Sequence, residues 1–352
     1  MSKEERELHN ISRLLADLYA VDAMYRQGPE FVFSMTSRAD PERTAYLLNE
    51  RLRTSGYHFD LKARPGESAL LTIDPKRHVR IPLVNIVLFV ATLLTTYLVP
   101  VYMTSPQGEF WSRLQQGAGL EFMAAMMSIL FVHEMGHYVA GRRRGIVTSW
   151  PYFLPAPNLI GTFGAIIKSK SPFWNRRDLI EVGAWGPVAG WIVALGWLIY
   201  GLPKSTLVAM TGENALRLGD SVIMKALSSA LMASPPAGYD YMLSEAAFAG
   251  WVGLLVTAIN LLPVGQLDGG HILYGLAPKR QRLLGWAAWI GLALLGLKWE
   301  GWWLFAAFGL IFGVSHPPTL DDHHPIGRSA LALGVVALII FALSLTPAPF
   351  QF

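Results

Sequence analysis

The sequence predicts a multi-pass α-helical membrane protein of about six to seven spans. A small α+β domain stands in front of the spans, and a β-hairpin or small sheet is associated with the membrane. Three observations lead there. The 352 residues are 52% hydrophobic and only 15% charged, whereas soluble domains run nearer a quarter charged. Charge is crowded into the front of the chain: the first eighty residues hold 13 of the 29 Lys and Arg and 12 of the 25 Asp and Glu. From Ile81 onward, apolar stretches recur to the C-terminus, several near the roughly 20 residues that cross a hydrocarbon core about 30 Å thick.

Composition also excludes. With no Cys, disulfides, thiolate zinc sites, iron–sulfur clusters and Cys nucleophiles are all ruled out. A net charge of +4, scattered along the chain, does not make a nucleic-acid partner.

Residues 1–78 form the soluble domain. Lys3-Glu4-Glu5-Arg6-Glu7 is charged where the apolar core of a signal peptide would begin, and the acidic residues argue against a transit peptide. Leu8, Ile11, Leu15, Leu18 and Val21 recur at helical spacing, which predicts a helix over about 8–24. Phe31, Phe33 and Met35 alternate as in a strand. Asp40-Pro41 starts a second helix ending near Gly56. Tyr57 to Leu61 and Leu70 to Ile73 are strands joined by a turn at Arg64-Pro65-Gly66-Glu67.

Residues 79–276 hold the membrane core and 277–352 further membrane segments. Spans are expected at about Ile81–Met103, Leu120–Ala140, Leu179–Leu202, Ser244–Pro263, Leu283–Leu297, Trp302–Val314 and Ser329–Leu345. The fifth and sixth are short enough to be one broken or re-entrant pair. Trp150, Trp174, Trp299, Trp302 and Trp303 lie near span ends, as an interfacial belt requires. With the N-terminus in the cytosol, only Arg113, Lys204, Arg217, Lys225 and Lys298 of the basic residues fall outside. That asymmetry orients the chain; the Arg142–Arg144 run is a topological anchor at the headgroups.

The second span contains His133-Glu134-Met135-Gly136-His137. Ionisable groups inside a membrane helix are expensive by several kcal/mol on most estimates. His133 and His137 are four residues apart, so both imidazoles leave one helix face and can grip one metal ion. Glu134 lies beside that metal without being placed as a ligand, where it can take a proton from the water the metal activates. Zinc catalysis calls for a third protein ligand. The fourth span ends in Asn260-Leu261-Leu262-Pro263-Val264-Gly265-Gln266-Leu267-Asp268-Gly269-Gly270-His271. Asp268 offers a hard oxygen there, and Pro263 and Gly265 break the helix so that the chain folds around it. Loop charge puts the His pair and Asp268 at the same, cytosolic, ends of their spans.

An HExxH helix followed by NxxPxxxLDG resembles the site-2 protease family, the intramembrane zinc metalloproteases of peptidase family M50. The resemblance covers roughly Leu83 to Leu276. It is nearer to the chloroplast-type and prokaryotic members without PDZ or CBS domains. It implies one Zn2+ per chain held by His133, His137 and Asp268, Glu134 as catalytic base, and Asn260 as a holder of substrate or oxyanion. It implies as substrate a transmembrane protein cut within or next to its membrane helix. The sequence carries no signal of oligomeric state.

Trp150 to Pro157 and Gly161-Thr162-Phe163-Gly164-Ala165-Ile166-Ile167 are rich in Pro and Gly and then alternate. We read a hairpin whose edge adds the substrate as a further strand. Gly161, Thr162, Phe163 and Gly164 are its expected contacts, together with Pro263. His271 is read as a residue outside the metal's ligands, and the His316–Pro325 segment as a solvated loop with a structural role rather than a metal-acquisition segment. The expected location is a prokaryotic plasma membrane, with a plastid membrane as the alternative. Two other functions fit parts of the pattern: a metal or solute transporter built on broken helices, and an inactive scaffold binding membrane helices. The transporter lacks an inverted repeat, and Glu134 has no purpose in either.

Overall fold

A computed structural model of the chain describes residues 3–28, 30–55, 57–62, 69–77, 81–144, 146, 148–169, 173, 175–209, 217–319 and 321–351. The front of the chain runs α1 (Lys3–Leu15), β1 (Tyr19–Gln27), β2 (Glu30–Ser37), α2 (Pro41–Ser55), β3 (Tyr57–Lys62) and β4 (Ala69–Arg77). The strands form one antiparallel sheet in the order β1-β2-β4-β3. Ile11, Leu14 and Leu15 of α1 and Leu48 and Leu52 of α2 pack on Phe33, Met35, Leu71 and Ile73 of the sheet. Asp40 caps α2 through its carboxylate, which accepts from the Arg43 N–H at 2.8 Å.

The helix expected over 8–24 is corrected: it ends at Leu15, and Tyr19–Gln27 is an edge strand. Leu18 and Val21 mimic a helical stripe. Val21 is exposed, however, and the segment pairs with β2 along its length. Here tertiary pairing overrides a short periodic signal. Gly56 and the turn at Arg64–Glu67 lie outside the described residues, as does Trp174.

The remainder is built of α3 (Leu83–Thr104), α4 (Phe110–Gln115), α5 (Leu120–Arg143), β5 (Tyr152–Pro155), β6 (Thr162–Ile166), α6 (Arg176–Gly201), β7 (Thr206–Ala209), β8 (Arg217–Leu218), α7 (Val222–Leu231), β9 (Tyr239–Met242), α8 (Glu245–Asn260), α9 (Asp268–Leu276), α10 (Gln281–Leu295), α11 (Gly301–Phe312), α12 (Gly327–Ser344) and β10 (Phe350–Gln351). Three helical stretches among the described residues are long and apolar enough to cross a membrane: Leu83–Thr104, Arg176–Lys204 and Gly327–Ser344. α6 is the hub, packed on α5, α8, α9 and α12. Its N-terminus is capped by Asn175, whose side chain accepts from the Asp178 N–H at 2.9 Å.

α10 and α11, with 15 and 12 residues, reach only about 22 and 18 Å at 1.5 Å per residue. They pack on each other, the Trp289 indole donating to the Ala306 carbonyl at 2.8 Å and that of Trp303 to Ala293 at 3.0 Å. Trp302, expected in the interfacial belt, is instead fully buried and donates to the Pro347 carbonyl. Its neighbour Trp303 keeps the exposed position.

The front unit meets the helices through ions. Arg13 of α1 pairs with the buried Asp178 of α6 and donates to the Arg144 carbonyl. Arg144 pairs in turn with Glu181, which also accepts from Arg177 at 3.1 Å. Of the run read as a headgroup anchor, Arg144 is therefore held inside the protein.

β5 and β6 pair antiparallel, and the hairpin lies along α3. The Asn85 side chain donates to the Trp150 and Pro151 carbonyls at 3.1 and 2.8 Å. At the turn, Gly161 has φ +75°, and a Cβ there would meet the backbone of Thr95 and Thr96. Gly161→Ala is therefore expected to destabilise the protein by at least about 1–2 kcal/mol, the penalty of a left-handed backbone alone. Gly164, also at positive φ but with open space around it, should show the backbone penalty without the clash. Thermal unfolding of the two Ala variants measures the difference.

Candidate metal centre

α5 carries His133, Glu134 and His137, all buried, at 3%, 4% and 9% exposure. A helix that carries such groups needs a neighbour that leaves room for them. That neighbour is α6, whose Gly183, Gly186 and Gly190 lie on one stripe. A Cβ on Gly186 would run into the His137 imidazole, and one on Gly190 would sit 2.9 Å from the His133 Cβ. Gly136 repeats the pattern from the other side, against the Trp185 carbonyl. Small residues on both surfaces let two backbones approach closely. The imidazoles fill the space that α6 leaves.

α6 also aims one of them. His137 Nδ1–H donates to the Val182 carbonyl at 2.7 Å, so in the neutral ring its Nε2 is left as a bare lone pair. That Nε2 lies 3.1 Å from His133 Nε2.

The third group arrives by a sharp reversal. α8 ends at Asn260, and the chain turns through Leu261–Leu267 into α9, whose first residue is Asp268. Gly265 takes φ +58° at the bend. Gly269 and Gly270 press on the carbonyls of Leu261 and Gly265 with no room for side chains. The reversal carries Asp268 Oδ2 to 3.5 Å from His133 Nε2 and 3.2 Å from His137 Nε2. At the N-terminus of α9 the carboxylate also meets the positive end of the helix dipole.

Lone pairs of two imidazoles and a carboxylate thus face one point, all within 4.8 Å of one another. Without a cation between them they repel. Tetrahedral zinc with bonds near 2.0–2.2 Å sets its ligand atoms about 3.3 Å apart, which is the spacing found. The donor set fits zinc.

Glu134 makes no hydrogen bond to any described residue and lies beside this cluster, with His133, His137 and Asp268 all acting on its charge. The Asn260 side chain donates to His133 Nε2 at 3.3 Å. The hairpin residues divide. Thr162 is buried, its hydroxyl donating to the Leu154 carbonyl at 2.8 Å and accepting from the Gly164 N–H at 2.9 Å. Gly161 is pressed on α3. Phe163, at 73% exposure, points out. Pro263 is half-buried in the α8–α9 turn. The glycine stripe and Val182 were not among the sequence expectations, although small residues at 183, 186 and 190, three and four apart, were there to be seen.

Comparison with known proteins follows the same residues. The profile of peptidase family M50 matches residues 121–296. The chain is 30% identical over 241 residues to the probable zinc metalloprotease EGY1, chloroplastic, of Arabidopsis thaliana, covering 65% of this chain and 43% of that protein. It is 30% identical over 231 residues to the probable zinc metalloprotease EGY2, chloroplastic, of Oryza sativa subsp. indica, covering 64% and 42%. The probable zinc metallopeptidase EGY3, chloroplastic, of Arabidopsis thaliana is 26% identical over 282 residues, covering 74% and 48%. The chain thus spans less than half the length of these relatives. No solved structure matches it.

Gly186→Ala is expected to push the His137 ring out of line and weaken divalent-metal binding, read by titration against a competing chelator. Gly196→Ala, on the same helix but facing open space, should leave that affinity unchanged.

Proposed function

The chain belongs to peptidase family M50, and on that membership we propose that it is an intramembrane zinc metalloprotease cleaving transmembrane protein substrates within or next to their membrane helices. The observation that carries the reading is the convergence of His133, His137 and Asp268 beside a buried Glu134 that bonds to no described residue. Both motifs fall inside the matched residues, and the relatives' names agree.

In this reading His133, His137 and Asp268 hold one zinc per chain. Bound zinc supplies a lowered pKa for water and a Lewis acid for the scissile carbonyl. Glu134 takes the proton of the attacking water and passes it to the leaving amine. Asn260 Nδ2, already aimed at the cluster, donates to the oxyanion. Val182 holds the His137 ring in place. The hairpin presents Phe163 and an open edge to a substrate that must unwind before its carbonyls can be attacked, and Pro263 lies in the α8–α9 turn.

The topology is part of the proposal. α3, α5, α6, α8 and α12 cross the bilayer, and α10 and α11 form a re-entrant pair or two short spans. Either way the chain returns to the same face, so the front domain, the α8–α9 turn and Arg328 share the cytosolic side. The relatives' chloroplastic location supports the plastid alternative for the membrane.

The test is the purified protein with its zinc content measured and a membrane-spanning substrate supplied. Glu134→Gln should keep one zinc and lose cleavage by about 10²–10⁴-fold. Asp268→Ala should lose the zinc itself, and chelation should abolish cleavage until zinc is restored. A wild-type protein without zinc, or cleavage undiminished in Glu134→Gln, defeats the reading. Substrates with Gly, Pro or Asn near the cut should be cleaved faster than fully helical ones.

A further inference from the structure

Residues 313–319, 321 and 322 lie beyond the stretch that matches the family, yet they close over the turn that delivers Asp268. The Gly265 N–H donates to the Val314 carbonyl at 2.9 Å. Gln281 braces the segment from α10, its amide donating to Val314 O at 3.3 Å and its carbonyl accepting from the His316 N–H at 3.2 Å. Tyr274, on α9, donates to Asp322 at 2.6 Å, and Thr319 donates to the same carboxylate at 2.6 Å. Burial would raise the Asp322 carboxyl, but these two hydroxyls hold it below the usual carboxylate range.

The centre of the contact is a pair of imidazoles. His271 Nδ1 lies 2.7 Å from His316 Nε2, and the rings meet edge to face at 4.8 Å. The direction of the bond follows from its far end. His316 Nδ1 faces the Pro317 carbonyl at 2.5 Å, a group that only accepts, so Nδ1 carries the proton and Nε2 is the acceptor. His271 therefore donates from Nδ1. It sits one turn after Asp268, and its N–H closes that turn by donating to the Leu267 carbonyl at 2.9 Å.

We propose that His316 is a positioning residue for the metal centre: by accepting from His271 it fixes the first turn of α9 and so the aim of Asp268. The inference rests on the zinc reading of that centre. It makes the segment beyond residue 296 part of the working site, with a neutral histidine as the required element. Partners that orient metal ligands typically change metal affinity by about 10–100-fold when removed.

The test is zinc affinity of the full chain, purified metal-free and titrated against a competing chelator, for His316→Gln and His316→Leu. The two replacements are similar in size, but only Gln places an acceptor where Nε2 stood. His316→Leu should bind zinc about tenfold more weakly or worse, and His316→Gln should come within a few-fold of wild type. His271→Ala combined with His316→Leu should lose no more than His316→Leu alone, because one bond is being removed twice. Equal affinity for Leu, Gln and wild type overturns the proposal. So does equal weakening in Leu and Gln, which would make the role one of packing. A wild-type chain that binds no zinc sinks the metal reading and this inference together; zinc bound by wild type and equally by His316→Leu sinks this inference alone.

Discussion

Everything at the candidate centre depends on how closely α5 approaches α6. Two imidazoles and a carboxyl group inside an apolar helix are tolerable only if the neighbouring helix gives them space and direction. α6 gives space by omitting side chains at Gly186 and Gly190. It gives direction through the Val182 carbonyl, which fixes the proton on His137 Nδ1. Helices held apart by ordinary side chains would leave the same imidazoles without a site. In lipid, where burial of apolar surface does not drive helices together, such close backbone contact is itself a main source of association. The packing that holds the bundle and the geometry that aims the ligands are one feature.

The second constraint is the reversal between α8 and α9. A helix leaving Asn260 in a straight line would carry Asp268 some 12 Å further along the axis, at 1.5 Å per residue. The glycines at 265, 269 and 270 fold it back instead, each in a place where a Cβ would strike backbone. The same fold brings Asn260 and Asp268, eight residues apart, onto one imidazole, His133. A broken helix leaves polar backbone unpaired, which a membrane interior does not forgive. Here the Gly265 N–H finds the Val314 carbonyl and the Leu261 N–H that of Thr257.

What could be read from the residues alone was whatever has a short period or a high cost. The shared face of His133 and His137 follows from four-residue spacing. Asp268 stood out because a carboxylate in apolar surroundings demands a reason. The hairpin announced itself through Pro, Gly and alternation. Less could be read where the determinant is long-range. Leu18 and Val21 fall at helical spacing and point to a helix through β1, and only the pairing with β2 reveals the strand. Residues 203–209 and 217–243 hold short strands and α7 between α6 and α8, each too brief to show a period. Trp302 looks interfacial by position in the chain, but it is buried with its indole bonded to the Pro347 carbonyl, far along the sequence. Gly186 and Val182 could not be assigned a role until α5 was placed beside them.

The front domain is not mechanically separate from this centre. Asp178 is buried at the first turn of α6, and Val182 lies one turn further along the same helix. Arg13 reaches Asp178 from α1 and the Arg144 carbonyl at the end of α5. The two helices that define the candidate metal centre are therefore bridged at their ends by a side chain of the front unit. A buried carboxylate that loses a cation is left with an uncompensated charge, and the structure around it must shift or take up water. Arg144, 3.7 Å from the same carboxylate, is the one other cation placed to share the load among the described residues, and it is already engaged with Glu181. Motion of α1 away from the bundle thus acts first on the N-terminal turn of α6. That turn carries straight into the one holding the carbonyl that aims His137.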